Sequence, residues 1–405
     1  MLLLVLGVLL IGGALSIRSS PWLREYLHRA KDLPELERAV SQAPGDAIAR
    51  YHLAKRYYTS RRFGDALREY EEVVRLEPRS ARAYLGMGLS HYELGHARDS
   101  RQAFNLALER DPKSAWTHYM LGKLAWQNRD LELAATHTRR ATELDPRSDQ
   151  AWYGLAACMS KLRRTPEAIS ALEQAVARNP QNAAAHAALG ELLISRSEPE
   201  RGVTHLERAL ELNPRHIAAQ VVLGTHLAKN STDAASMERA ENLLRGAIKL
   251  KGPRMANNHL ELGRLLARKG SYRDALNHFE SARSLMPTDE RAYYSLADAL
   301  RRLGRPEEAE KHDRRFREIS GRHIRMQQLE AKLNHSPENA EARLELARTY
   351  RELGMLSNAA TQFSRYLDSR PGDQVARAEA EKLISPAESD TSSREFSFSP
   401  LPSQQ

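Results

Sequence analysis

A single cysteine, Cys158, in a chain of 405 residues excludes an internal disulfide framework and any zinc cluster built from several thiolates. Its neighbours Ala156, Ala157 and Met159 read as helix packing and supply no group that would lower a thiol pKa, so a nucleophile is not expected there. Aromatic residues are sparse, at 6%. Alanine, leucine, arginine and glutamate recur instead, a composition that suits amphipathic helices and predicts almost no strand. No HExxH, CxxC, Walker lysine motif or GxSxG elbow occurs. Gly86 and Gly88 have no strand before them, as a phosphate loop would require. The fifteen histidines are scattered, without metal-ligand spacing. The reading is therefore no catalytic residue, no metal, no cofactor and no small-molecule substrate, and hence no enzyme.

The net charge of +9 arises from 61 basic residues against 52 acidic ones. Arg301-Arg302 and Arg314-Arg315 lie among Glu307, Glu308, Glu310 and Glu318. Such interspersion reads as a solvated helix surface and argues against nucleic acid as a partner. A nucleic-acid-binding repeat stays open as an alternative, and steep salt dependence would be its signature.

Long apolar runs are also rare, with one exception. Met1 to Ile17 reads MLLLVLGVLLIGGALSI without a charge, about the minimum length for a bilayer-crossing helix. No basic n-region precedes it, which favours a single-pass anchor over a cleaved signal, although Ala14 and Ser16 would suit a cleavage site. The expected location is thus the membrane, or a secreted or periplasmic one after cleavage. Arg18, Arg24, Arg29 and Lys31 would hold the rest of an anchored chain on the cytoplasmic side.

The strongest signal is a period. Pro44, Pro78, Pro112, Pro146, Pro180 and Pro214 are each separated by 34 residues. Between them a large-small pair returns as Leu53-Ala54, Met87-Gly88, Leu121-Gly122, Leu155-Ala156 and Leu189-Gly190. Ala66, Ser100, Ala134, Ala168 and Gly202 follow in each second half, at places where small residues let two helices approach closely. The pattern continues to Pro371, with extra residues at 230–236 and a break over 307–337 that reads as an extended or interrupted second helix, with Gly321 as a possible hinge.

This skeleton resembles the tetratricopeptide repeat, a helix-turn-helix unit of 34 residues, over roughly Asp46 to Asp373. The resemblance implies an all-α, right-handed superhelical α-solenoid of about nine units behind an N-terminal hydrophobic helix. Each unit buries its apolar face only against its neighbours, so the ends need caps. Residues 18–45 are assigned to a linker and a lone capping helix with Leu36 and Ala39 inward. Residues 46–373 form the array, 374–385 a C-terminal cap, and 386–405, rich in serine and proline, a disordered tail.

In this architecture the first helix of each unit lines the concave side, and i, i+4, i+7 spacing places a stripe there. The stripe is Tyr51, Lys55 and Tyr58, then Leu85, Leu89 and Tyr92, then Tyr119, Lys123 and Trp126 with Trp116 one turn earlier, then Tyr153. Tyr and Trp give large contact area at little side-chain entropy, so this half is the expected partner-binding surface. In the later units the stripe turns basic, with Arg264, Arg301, Arg348 and Arg351, a rim that would accept an acidic segment. Some family members clamp a terminal carboxylate with Lys and Asn; Tyr51, Lys55, Gly86, Trp116 and Met120 depart from that clamp.

The expected function is a protein-protein interaction scaffold that binds protein or peptide segments on its concave face, membrane-anchored or exported. The alternative from another class is a substrate-recruiting subunit of a glycosyltransferase or a secretion or assembly complex, with the catalyst on another chain.

Overall fold

The computed structural model describes residues 21–251 and 255–383, with side chains from Glu25 onward. The apolar segment 1–17 and the tail 386–405 lie outside the described residues. Among those described, no helix is long and apolar enough to cross a membrane.

The described residues contain twenty-one α-helices and no strand. Two short helices, α1 (Pro21–Ala30) and α2 (Leu33–Gln42), come first. Pairs follow: α3 (Ala47–Thr59) with α4 (Phe63–Leu76), α5 (Ala81–Glu93) with α6 (Ala97–Arg110), α7 (Ala115–Gln127) with α8 (Leu131–Leu144), and α9 (Asp149–Lys161) with α10 (Thr165–Arg178). The series goes on with α11 (Ala183–Ser195) and α12 (Pro199–Leu212), α13 (Ile217–Asn230) and α14 (Ala234–Lys251), and α15 (Ala256–Arg268) and α16 (Tyr272–Leu285). It closes with α17 (Glu290–Arg302) and α18 (Pro306–His335), α19 (Ala340–Glu352) and α20 (Leu356–Ser369), and a last helix α21 (Gln374–Glu381).

The chain divides into two compact units between Ala185 and His186, inside α11. In the first unit each second helix packs on the next first helix: α4 on α5, α6 on α7, α8 on α9. First helices also meet, α3 with α5 and α7 with α9. The second unit repeats the arrangement, with α12 on α13, α14 on α15, α16 on α17, α18 on α19 and α20 on α21. There α13 meets α15, and α15 meets α17. Each unit is thus a row of pairs in which the first helices share one side.

The proline period has a physical basis in the turn between pairs. Asp111, Asp145 and Asn213 each end a second helix, donating their N–H to the carbonyl four residues back at 2.9 Å. Their side chains then accept the N–H two residues on, from Lys113 and Arg147 at 3.1 Å and Arg215 at 3.0 Å, an Asx turn. Proline follows because it cannot continue a helix. Its carbonyl is reused by a side chain six residues later: Arg50 donates to Pro44 (2.7 Å), Trp152 to Pro146 (3.0 Å), Gln220 to Pro214 (2.8 Å) and Tyr293 to Pro287 (3.0 Å). Ser114, Ser148 and Asn182 then cap the next first helix.

The turn inside a pair uses one left-handed residue. Arg61, Gly95, Arg129, Arg163 and Ser197 occupy it with φ of 60°, 79°, 61°, 60° and 65°. Only one of these is glycine, so the other four accept about 1 kcal/mol of strain each, which the fixed packing of the two helices offsets.

The large-small pair explains how each pair of helices closes. A side chain from the second helix fills the space over a glycine of the first. A Cβ on Gly88 would lie 2.4 Å from the Phe104 ring, one on Gly263 2.5 Å from Phe279, and one on Gly190 2.7 Å from Leu206. Phe104, Phe279 and Leu206 are at most 2% exposed. Ser100 is equally buried and donates to the Gly88 carbonyl at 2.9 Å, so the small residue of the second helix is a contact in itself.

Three local readings change. The capping helix α2 is not alone, because α1 precedes it within the stretch assigned to a linker and packs on α3. Its inward residues are Leu36 and Val40, at i, i+4, while Ala39 is half-buried. At the break over 307–337 the extended of the two readings holds: Pro306–His335 is one unbroken helix, α18, of 30 residues. Gly321 lies within it, so there is no hinge. The far end of α18 buries Leu329 at 2% exposure among Leu346, Tyr350 and Phe363, standing in for the second helix of a missing pair. The extra residues at 230–236 are absorbed by an extended Ser231 (φ −88°, ψ 144°) and by α14, which runs to 18 residues.

Candidate partner-binding face

The first helices of the N-terminal unit bring most of the expected stripe onto one side. On α3, Tyr51 is half-buried, with its ring 5.9 Å from Tyr70 and the Arg82 guanidinium 4.3 Å over it. Glu25 of α1 holds that arginine at 3.0 Å and also meets His52 at 3.0 Å. Tyr58, at the other end of α3, sits edge-on to Phe63 at 5.4 Å. Its hydroxyl is buried without a hydrogen bond of good geometry, and burial first, then the Glu93 carboxylate, raises its pKa.

Across α5 and α7 the contacts are direct. Lys123 places its ammonium 4.9 Å over the Tyr92 ring, and Gln127 donates to the Tyr92 hydroxyl at 2.6 Å. Burial and Glu93 push Tyr92 up to about 12. Burial lowers the Lys123 pKa, opposed by Glu93. Trp116 stacks on Tyr119 with centroids 5.3 Å apart. Tyr119 feels Tyr92, Asp149 and Tyr153, and burial raises its pKa. These phenols stay protonated across the physiological range, with Lys123 and Arg82 as the cations beside the rings.

The ten residues do not all reach the surface. Tyr119 and Tyr153 are 4% and 7% exposed and belong to the core. Burial pushes Tyr153 up to about 12. Tyr51, Lys55, Tyr58, Leu85, Tyr92, Trp116, Lys123 and Trp126 are half-buried, which leaves part of each side chain accessible, although the Tyr58 hydroxyl is not. Lys55 makes no ion pair among the described residues. Arg82, Glu93 and Gln127 complete the face and were not read from the sequence. Arg82 and Gln127 lie just outside the i, i+4, i+7 stripe, and nothing short of the pairing of neighbouring helices points to them.

The basic rim of the second unit is already neutralised. Arg348 and Arg351 both bind Glu379 of α21, at 2.6 and 2.8 Å. Arg301 pairs with Asp313, and Arg264 with Glu261 at 3.3 Å. The two arginines hold the Glu379 carboxyl below its usual range. Helix α21 of the chain itself thus occupies the place proposed for an acidic segment.

Cys158 is fully buried, and burial pushes its thiol up to about 11, against an opposing Thr138 contact. It is a packing residue, not a thiolate. The histidines are less scattered than the sequence implies. Six of them meet across three helix pairs, His118 with His137, His186 with His205 and His259 with His278, with Nδ1 atoms 3.1, 3.0 and 2.9 Å apart. Each pair places a ring nitrogen of one imidazole within hydrogen-bond distance of the other, the donor being set by the tautomer.

Comparison with known proteins agrees with this architecture. One tetratricopeptide repeat model matches residues 51–115, 260–322 and 326–374, and another matches 125–192 and 161–223. No curated protein matches the chain. Similar solved structures include YrrB, a TPR protein with an unusual peptide-binding site, at 23% identity and TM-score 0.39 over 45% of this chain and 95% of that one. Pseudomonas aeruginosa pilF is 20% identical with TM-score 0.49, covering 55% of this chain and all of its own. The APC/C hetero-tetramer Cut9-Hcn1 matches at 19% identity and TM-score 0.46, over 69% and 54%.

Proposed function

The chain belongs to the tetratricopeptide repeat family, and from that premise we propose that it is a protein-protein interaction scaffold whose partner segment lies along the first helices α3, α5 and α7. In a right-handed superhelix these helices line the concave side. The observation that carries the reading is the run of half-buried Tyr and Trp edges at Tyr51, Tyr58, Tyr92, Trp116 and Trp126, linked by Lys123 and Gln127. Such a surface offers apolar area with hydroxyl, amide and ammonium donors at its rim. It suits an extended segment that supplies aliphatic or aromatic side chains and carbonyl or carboxylate acceptors. Lys55 extends the donor set at the α3 end.

The apolar run at residues 1–17 supports membrane attachment of this scaffold, or export if it is removed. Fractionation of the full chain with carbonate-washed membranes decides between the two.

The face is tested by replacing Tyr92 and Trp126 together by alanine, a choice that leaves the buried Tyr119 and Tyr153 in place. Truncating two central aromatic anchors should lower partner recovery in quantitative pull-downs by at least about tenfold. Helical circular dichroism should be unchanged. Equal recovery by the folded double variant would remove this face from the account.

A further inference from the structure

The turn inside the second helix pair gathers three metal-ligating side chains that the partner face does not use. His91 lies in the last turn of α5, His96 is the N-cap of α6, and Asp99 is in the first turn of α6. Left-handed Gly95, with φ of 79°, folds the chain back so that the His96 N–H bonds the His91 carbonyl at 2.9 Å. The two rings come to 5.7 Å between centroids, with Nδ1 atoms 3.5 Å apart. One donor atom from each of the three residues lies within 4.8 Å of the others. His96 and Asp99 are exposed and His91 is half-buried, so the cluster opens to solvent.

In two other pairs the same register positions hold an arginine against an acid. In the first pair they are Tyr57, Arg62 and Asp65. There the Arg62 guanidinium lies 4.4 Å over the Tyr57 ring and 2.6 Å from Asp65. In the pair formed by α17 and α18, Arg305 and Glu308 meet at 2.6 Å in the same turn. In these two pairs an arginine thus sits against an acid of the second helix's first turn. In the second pair imidazoles replace both the arginine and the ring beneath it. Among the described residues Asp99 has no ion pair.

We propose that His91, His96 and Asp99 bind a divalent transition-metal ion of the zinc or nickel class, with the remaining coordination positions open. Two neutral imidazoles and a carboxylate present one negative charge and the N/O donor set these ions prefer. Metal-ligand bonds of about 2.0–2.2 Å place the donors of a tetrahedral ion roughly 3.3 Å apart. The observed ring-nitrogen separation of 3.5 Å is close to that, and exposed side chains adjust the rest. The partial positive charge at the α6 N-terminus works against a cation, and Asp99 in that first turn offsets it. Three protein ligands with an open position leave room for water or for a donor from a bound partner.

The test uses the full chain without an affinity tag, stripped of metal, with His96→Ala and Asp99→Asn as variants. Calorimetric titration with Zn2+ and the visible absorption of Co2+ should report one ion bound in the micromolar range, weakened at least about tenfold by either change. Saturating zinc should raise the wild-type melting temperature and leave that of the variants unmoved. Undiminished binding in both variants would place the ion on the histidine pairs elsewhere and overturn the proposal. So would loss in only one variant, or no binding tighter than about 1 mM.

Discussion

Replacing Phe104 by alanine should destabilise the N-terminal unit by about 3–5 kcal/mol, the range for deleting a fully buried aromatic ring. The ring has no exposed surface and fills the gap over Gly88, so the cavity would open between the two helices whose closure defines the pair. Adding a methyl on the opposite side is also unfavourable. Gly88→Ala puts a Cβ where the ring now stands at 2.4 Å, and overpacking of this kind costs about 1–3 kcal/mol. The two changes touch the same contact, so their effects should not add, and the double variant should recover part of the loss. Urea unfolding of the full chain, followed by far-UV circular dichroism, measures all three. A Phe104→Ala midpoint indistinguishable from wild type would mean that the pairs do not close through this contact. Because repeat arrays depart from two-state unfolding, the shift of the first transition is the quantity to compare.

Acid should weaken the fold well above the pH at which carboxylates protonate. Burial holds the pKa of His52, His118, His137, His216 and His312 below the ordinary value, and that of His278 down to about 4. The neighbouring ring adds to burial in His137, through His118, and in His278, through His259. The unfolded chain titrates near 6.5 and the folded chain lower, so below 6.5 the unfolded state binds more protons. This stability is fully present above about pH 6.5 and is lost as pH falls toward the folded values, reached at about 4 for His278. The lowered carboxylates, Glu241, Asp289 and Glu379 among them, act in a separate, more acidic window, because their stabilisation persists until the pH falls below the ordinary carboxylate range. Each full pKa unit is worth about 1.4 kcal/mol, and half-exposed rings deliver only part of it. Between pH 7.5 and 5 the His278 shift alone is worth at most about 2 kcal/mol before solvent screening; the other five act in the same direction, so the melting temperature should fall by roughly a few degrees. Replacing His259 and His278 by glutamine, which keeps a donor and an acceptor, should flatten that slope. A melting temperature constant from pH 7.5 to 5 would contradict the argument.

The architecture was legible because its causes are local. The residue before each proline, the proline itself and the small residue facing Phe104 or Leu206 each act within one 34-residue frame, so their recurrence along the chain carries the fold. The long α18 was less legible, since Gly321 reads equally as a hinge or as an ordinary helical residue until Leu329 is seen to pack against α19 and α20. The histidine pairs had a signal that went unread: His118/His137, His186/His205 and His259/His278 share a spacing of 19 residues, which places partners on the two helices of one pair. The His91, His96 and Asp99 cluster depends on the backward fold at Gly95, and no linear metal motif has that spacing. For the proposed partner face, the stripe gives the helices but not the depth of each residue. Tyr119 and Tyr153 fall at stripe positions and yet are buried, because exposure depends on how closely neighbouring first helices approach. The pairing of Arg348 and Arg351 with Glu379 was hidden for a related reason, as Glu379 lies on a helix that reads only as a cap.

The claim on which the functional account rests is that partners engage the first helices and not the backs of the second ones. A photo-crosslinking side chain placed at Trp126 on α7, compared with one at exposed Thr136 on α8, reads this directly in native extracts resolved by mass spectrometry. The account predicts a discrete protein adduct from position 126, competed away by unmodified chain, and none from position 136. Adducts from position 136 alone would contradict it.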